Sequence, residues 1–379
     1  MPPKRKQTSR KRTVISRRRR VPADMVAGSE EGLRYLKCAI APKDFPGVIA
    51  GIPDAYCGKS AVIRQKILLP IGPPANTTTS WNASIVIPPI PNVAAMVVSN
   101  KDTTAQPNTV AAVWTVHDYV NAPTIFPSPN VGPEFGTSMV QQFRYVSLTA
   151  ELKMVGPVLS TGGTVCGARI PGFGLQQANN VAGVAAHYMT GFDDVDQVGM
   201  QSLPGYHIDH VNSGLYGWSI HQDPAVAFQS LWINSKYDSV EYTECGTPVA
   251  GASASGYFLG FGRQQALGIA VTGATPSTNF VLEVEAVIEY QPRADSIMTE
   301  MMSDAPPHDR LALDAYEKAV RNMPAFVPVS KNSGFWDAFL HIVAFGAPIV
   351  GSIFGPLGRA TGAVIGTAAE ALRIGIGGS

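Results

Sequence analysis

Cysteine is scarce in this chain: only Cys38, Cys57, Cys166 and Cys245 occur, far apart and without a Cys-x-x-Cys pair. That spacing excludes a zinc ribbon and a disulfide-dense scaffold, and leaves reduced thiols as the default. The short motifs of small-molecule enzymes are missing as well. No Gly-x-Gly-x-x-Gly, P-loop, Gly-x-Ser-x-Gly or His-Glu-x-x-His stands in the 379 residues, which removes the dinucleotide, nucleotide, α/β-hydrolase and zinc-protease readings. No apolar stretch of signal-peptide length follows the basic start, so no secretory leader is expected. Charge is thin too, at 15% of residues, against 37 Gly and 30 Pro. That mixture suits many short strands joined by turns and argues against a helical bundle.

What charge there is lies unevenly. Residues 1–20 hold Lys4, Arg5, Lys6, Arg10, Lys11, Arg12, Arg17, Arg18, Arg19 and Arg20, and no acid. Removing those ten from 29 basic residues leaves 19 against 28 acidic ones, so a basic arm is joined to a body of net −9. The arm has no apolar periodicity and cannot bury enough surface to offset its ordering, which predicts disorder. Ten cations without a compensating acid favour a polyanion, with phosphate the abundant candidate. No aromatic interleaves the arginines, so sequence reading by base stacking is not indicated. A nuclear-localisation patch or a merely solvated tail remains the plainer alternative.

A short helix is expected over Ser29–Leu36. From Ala61 the texture becomes strands separated by Pro, Gly, Asn and Ser: "SAVIRQKILLPI", "TVAAVWTVHDYV", "FRYVSLTAELKMV", "GTVCGARI", "SASGYFLGFG" and "NFVLEVEAVIEYQP". The last alternates, with Val281, Glu283, Glu285, Val287 and Glu289 on one side and Leu282, Val284, Ala286, Ile288 and Tyr290 on the other. Without βα alternation or internal repeats, an antiparallel sandwich with long inserted loops is the class. After Pro292 the pattern turns helical: Asp304 or Asp309 caps a helix whose stripe is Ala312, Leu313, Tyr316, Ala319 and Val320. A second stripe follows, Phe335, Trp336, Phe339, Leu340 and Val343, opposed by Asp337 and His341. The stretch from Ala338 to Gly358 carries no Asp, Glu, Lys or Arg and is long enough for a membrane span, although His341, Pro348, Pro356 and several glycines argue against one. Membrane contact of some kind is expected.

Three constellations invite chemistry. "HIDH" places His207 and His210 around Asp209, with no further ligand motif. "FDDVD" gathers Asp193, Asp194 and Asp196, able to hold Ca²⁺ through oxygen ligands, although a solvated acidic loop explains it equally well. The sequons at Asn76 and Asn82 mean little without a secretory signal. The third constellation is Asn332-Ser333, which can break its own chain. The Asn amide nitrogen lies within reach of its own carbonyl carbon, and attack closes a succinimide while expelling the next nitrogen. That reaction needs a bent backbone and a proton for the leaving amine, which a buried neutral carboxyl supplies. Most Asn-Ser pairs are nonetheless inert loop residues, and spacing alone does not choose.

Several separated segments then match one family in the right order. "GLRYLKCAIAPKDF", "GIPD" at 51–54, "FRYVS" at 143–147, and "IEYQP" followed by "SDAPPHDRLALDAYEKAVRNMPAFVPVSKNSGFW" resemble the coat-protein precursors of insect nodaviruses. The resemblance implies a mainly β protein: an eight-stranded antiparallel jelly-roll sandwich with inserted loops, and an internal helical region drawn from both termini. It implies a homo-oligomeric T = 3 icosahedral shell around viral positive-strand genomic RNA, assembled in the host cytoplasm and residing in the virion. It further implies a single-turnover, assembly-dependent autocatalytic cleavage at Asn332-Ser333, with Asp44 of "APKDF" as catalytic acid. The fragment 333–379, led by the apolar stripe from Phe335 to Val343, would then disrupt host membranes. The chain accordingly divides into an RNA-binding arm 1–20, an inner-surface segment 21–60, a shell domain 61–292 with protruding loops, a helical segment 293–332 and the cleaved peptide. No cofactor is required. A structural calcium is left open, because Asp193 falls at a place matching the family's calcium ligands while a second such place holds Ser138. The arm is shorter than in relatives, and the tail "RIGIGGS" lacks the terminal phenylalanines that they use to select RNA.

Rival classes are a cellular RNA-binding protein with a basic tail and an integral membrane protein anchored through 338–358. A general endopeptidase is disfavoured, because the acid would serve one bond of its own chain.

Overall fold

The computed structural model describes residues 27–107, 114–119, 140–156, 161–171, 174–177, 187–190, 195–222, 226–230, 262–294, 298–330 and 335–345. Ten principal strands are β1 (Lys59–Ile71), β2 (Trp81–Ile87), β3 (Val93–Lys101), β4 (Thr115–Asp118), β5 (Val140–Val155), β6 (Thr164–Ile170), β7 (His207–His210), β8 (Leu215–Trp218), β9 (Ala266–Ala274) and β10 (Asn279–Pro292). They form two antiparallel sheets. One runs β1-β10-β5-β8 and gains short strands at Ser303–Asp304, Phe326–Val327 and Gln229–Ser230; the other runs β4-β3-β2-β9-β6-β7. Counted in full, the described sheets hold seven and six strands, beside a separate ribbon of Gly174–Gln177 with His187–Thr190.

The alternation read along β10 holds, and it explains the layering. Leu282, Val284, Ala286, Ile288 and Tyr290 enter the core between the sheets, with Ile67 and Leu69 of β1 and Ile85 and Ile269 of the facing sheet. The other face of β10 is also covered, by three helices: α1 (Glu30–Ile40), α2 (Arg310–Asn322) and α3 (Phe335–Phe345). There Val287, Val146, Tyr216 and Trp218 meet Tyr35 and Leu36 of α1, Tyr316 and Ala319 of α2, and Phe339 and Ile342 of α3. Burying that much apolar area against one sheet is the main force holding the helices down.

Local chemistry sets the helix ends. Ser29 caps α1 by accepting the Gly32 N–H at 2.9 Å, with Glu30 and Glu31 in the first turn and Lys37 in the last, the charge order a helix dipole favours. The helix runs to Ile40 rather than stopping at Leu36, because the first breaker is Pro42, which disfavours helical geometry at Ala41. Asp309, not Asp304, caps α2, accepting the Ala312 N–H at 3.1 Å. Its carboxylate also takes the N–H groups of Gly28 and Ser29 and the Ser29 hydroxyl. One side chain therefore ties the starts of two helices together, close enough that a Cβ on Gly32 would lie 2.1 Å from its oxygen.

Strands β2, β3, β7, β8 and β9 are not among those expected from the sequence. β2 is buried at every position, and β9 at all but two, so neither shows the period-two pattern that reveals a half-buried strand. The candidate "SASGYFLGFG" lies almost wholly outside the described residues.

Candidate active site

Segment 41–48, which carries Asp44, is a pair of tight turns. The Asp44 N–H donates to the Ala41 carbonyl at 3.1 Å and the Val48 N–H to the Phe45 carbonyl at 3.0 Å. Pro42 and Pro46 each sit at the second turn position, where their fixed φ is pre-set. Asp44 stands between the turns, half-buried. Its carboxylate accepts the backbone N–H of Trp336, in the first turn of α3. The next residue reinforces that contact: the Phe45 ring meets Trp336 edge-on at 5.2 Å between centroids, with the Lys37 ammonium 5.0 Å from the Phe45 centroid.

Burial raises the Asp44 pKa above the ordinary carboxylate value; the Trp336 N–H opposes the shift and the neighbouring Asp337 carboxylate adds to it. The acid therefore keeps its proton to higher pH than a solvated aspartate does. Cations flank it in sequence and in space. Lys43 pairs with Glu151 of β5 and, at 3.5 Å, with Glu283 of β10; burial pulls its pKa down to about 8, with Glu283 opposing the shift and Lys153 adding to it. Arg64 of β1 donates to the carbonyls of Pro46, Phe45 and Val48, the last at 2.8 Å, and faces Glu285 at 3.4 Å.

Asn332 and Ser333 lie outside the described residues; in sequence, Ser333 stands three residues before Trp336. Of the apolar stripe on α3, Phe339 is buried, Trp336, Leu340 and Val343 are partly buried, and Asp337 is exposed; the side chain of Phe335 is not described. Ile342, not in the expected stripe, is buried as well. Lys4 to Arg20, Ser138 and Asp193 also fall outside the described residues. Asp196 caps the short helix Gln197–Gln201.

Other candidates have structural employment. Asn82 is buried, donating to Asn100, Thr103 and Ala105 and accepting from Gly273, which leaves no free amide for a glycan. His207 faces Asp209 at 3.8 Å, and among the described residues no three metal-ligating side chains converge. No described helix is long and apolar enough to cross a membrane.

The sequence reading missed a cluster that its own quoted segments assemble. Arg144 of "FRYVS" pairs with Glu289 of "IEYQP" at 2.8 Å and with Asp54 of "GIPD", and donates to the Ile52 carbonyl. The Ile52 N–H returns to Glu289 at 3.0 Å. One ion cluster thus joins all three segments.

Residues 29–371 match the model of the Peptidase A6 family. The chain is 27% identical over 356 residues to capsid protein alpha of Black beetle virus, and 26% identical to that of Flock house virus, covering 90% of this chain and 84% of each relative. Among solved structures, the infectious bursal disease virus particle aligns at a TM-score of 0.50 and 9% identity, over 84% of this chain and 98% of that one; at that identity the likeness speaks to fold alone. With a family model spanning both the Asp44 turn and α3, the chain belongs to the Peptidase A6 family, alongside the capsid proteins alpha of insect nodaviruses.

Proposed function

We propose that this member of the nodaviral capsid protein family is a coat-protein precursor that cuts itself once, between Asn332 and Ser333, after assembling. The observation that carries the reading is the Asp44 carboxyl seated on the Trp336 N–H, three residues beyond the bond in question. A burial-raised acid there has a task that a structural aspartate lacks. Asn332 Nδ2 bonds to its own carbonyl carbon, the bond from that carbon to the Ser333 nitrogen breaks, and a succinimide closes. Asp44 gives its proton to the leaving nitrogen, and the proton shed by Nδ2 restores the acid. Holding attacking and leaving groups in one bent segment supplies the orientation that makes a slow reaction fast.

The remaining parts follow the same reading. Four strands of each sheet, β1-β10-β5-β8 and β2-β9-β6-β7, serve as the eight-stranded jelly roll, with β3, β4 and the short strands as extensions. Copies build a T = 3 shell in the host cytoplasm, the arm 1–20 neutralises packaged RNA, and 333–379 disrupts membranes on entry. A cellular RNA-binding protein is not favoured, since the family match runs from 29 to 371.

The test is the intact mass of the chain from sedimented particles and from soluble subunits, with Asp44→Asn alongside. A break after Asn332 only in particles, lost in the variant, is expected. Uncut chains in well-formed particles would remove the cleavage and keep the shell. No particles at all would return the RNA-binding rival.

A further inference from the structure

The polar face of β10 carries Glu283, Glu285 and Glu289 at alternate positions, and each holds a cation that fastens the segment 43–54. Lys43 sits between Glu283 and Glu151, Arg64 opposite Glu285, and Arg144 on Glu289 with its other side on Asp54. Glu285, Glu289 and Glu151 are at most 6% exposed, so the row is a fixed rail beneath the turns rather than a solvated face. Carboxylates so deeply buried persist only where they are paired.

Arg64 differs from the other two cations in what its free end does. From β1 it reaches up to three carbonyls of the second turn, Phe45, Pro46 and Val48, while its Nε faces Glu285 at 3.4 Å. A planar fork that grips successive carbonyls fixes the turn's height and its rotation, which a point charge cannot do. Those carbonyls belong to the residues immediately after Asp44, and Phe45 is the residue that touches Trp336. Lys43 anchors the preceding residue. Asp44 thus hangs between two tethers, both ending on β10.

From this geometry we infer that Arg64 is a positioning residue for the self-cleavage, holding the Asp44 carboxyl against the start of α3 through the Glu285 rail. The inference rests on the proposed cleavage. Arg64 touches no reacting atom; it sets where the acid stands. Displacement of a reacting group by about 1 Å costs on the order of 100-fold in rate.

The test uses the full chain assembled into particles, following the cut fraction over time from pH 5 to 9 for wild type, Arg64→Lys, Glu285→Gln and Asp44→Asn. Arg34→Ala, at an exposed pair on α1, is the control and should cleave as wild type. Arg64→Lys keeps the charge and loses the fork, and is expected to assemble yet cleave on the order of 10- to 100-fold more slowly. Its pH midpoint should move toward that of an ordinary carboxylate, because a loosened turn lets water reach Asp44; Lys43, Asp337 and Tyr216, the titratable groups about that acid, are unchanged in the variant. Glu285→Gln should move both quantities in the same direction by less. Particles of Arg64→Lys and Glu285→Gln cut at the wild-type rate with the wild-type midpoint would overturn the assignment, whatever their yield. Wild-type particles that never cleave would sink the cleavage reading, and this one with it, whereas slow variants beside a cleaving wild type support both.

Discussion

Replacing Asp309 by alanine should loosen the connection between the segment that carries Asp44 and the segment that leads to Asn332. Its carboxylate accepts four hydrogen bonds: Ala312 N–H at 3.1 Å, Gly28 N–H at 3.1 Å, Ser29 N–H at 2.7 Å and Ser29 Oγ–H at 2.7 Å. The first is an N-cap, worth about 1 kcal/mol. The other three lose a charged acceptor in a site where water enters poorly, at about 1 kcal/mol each. The sum is about 4 kcal/mol, a large share of the 5–15 kcal/mol typical of a folded domain. Asparagine keeps an acceptor and gives up the charge, so Asp309→Asn should lose about half as much, roughly 2 kcal/mol. Burial alone would raise this group's pKa, but the Ser29 side chain and the three backbone N–H groups outweigh it and hold it below the ordinary value. A depressed carboxylate stabilises the fold above its unfolded pKa, and that contribution fades as pH falls through the folded value. Urea unfolding of soluble subunits, followed by tryptophan fluorescence, should show wild type losing stability toward pH 3 more steeply than Asp309→Ala. If Asp309→Ala unfolds within about 0.5 kcal/mol of wild type at pH 7, the site is hydrated and the double-cap argument fails.

Three further outcomes follow from the same geometry. Glu289→Gln removes the more buried of the two carboxylates on Arg144 and leaves Asp54 to compensate it, so it should cost about 1.5–3 kcal/mol in urea unfolding. Arg144→Met, which strands the buried Glu289, should cost about 3–5 kcal/mol, with the double replacement well short of their sum. Additive losses would mean the pair is not coupled. In particles, self-cleavage should slow as pH rises through the raised pKa of Asp44, because only the neutral acid has a proton to give; a flat rate from pH 5 to 9 would exclude a titrating acid. Phe339→Ala deletes a fully buried ring at about 3–5 kcal/mol and should let cut fragments leave particles sooner, measured as fragment in the supernatant after sedimentation; unchanged retention would place the grip elsewhere.

The sequence disclosed some of this and hid the rest for physical reasons. β1, β5 and β10 were readable because their residues alternate between a dry core and a mixed face. β2 and β9 were not, since apolar cover on both sides erases the alternation. The three glutamates of β10 were seen as one face, but nothing local says whether such a face meets water or a layer of helices. Arg64 carries no signal at all: a lone arginine in "SAVIRQK" reads as a solvated position until the turn above it is known. The pairing of Asp44 with Trp336 is likewise a tertiary fact. Spacing left Asn332-Ser333 indistinguishable from an inert loop, and only the resemblance singled out the bond and its acid. The structure adds the N–H on which that acid rests.

On the proposed reading α3 faces a conflict. Its start must stay against Asp44 for the reaction, and its apolar face must later leave. The energetics suggest how cutting one bond resolves this. Phe339 and Ile342 are buried at no more than 2% exposure, worth about 2 kcal/mol each, and the partly buried Trp336, Leu340 and Val343 add about 1 kcal/mol each. The total of about 7 kcal/mol corresponds to a dissociation constant on the order of 10 μM before the cost of association, and weaker after it. An intact chain never feels that weakness, because the tether through residues 331–334 presents α3 at an effective concentration in the millimolar range. Cutting the tether leaves every contact in place and removes only the effective concentration. Inside a closed shell the fragments remain crowded and docked; once the shell opens to dilution, the same contacts no longer hold them. The cleavage need not push α3 out, because it makes α3's departure depend on concentration.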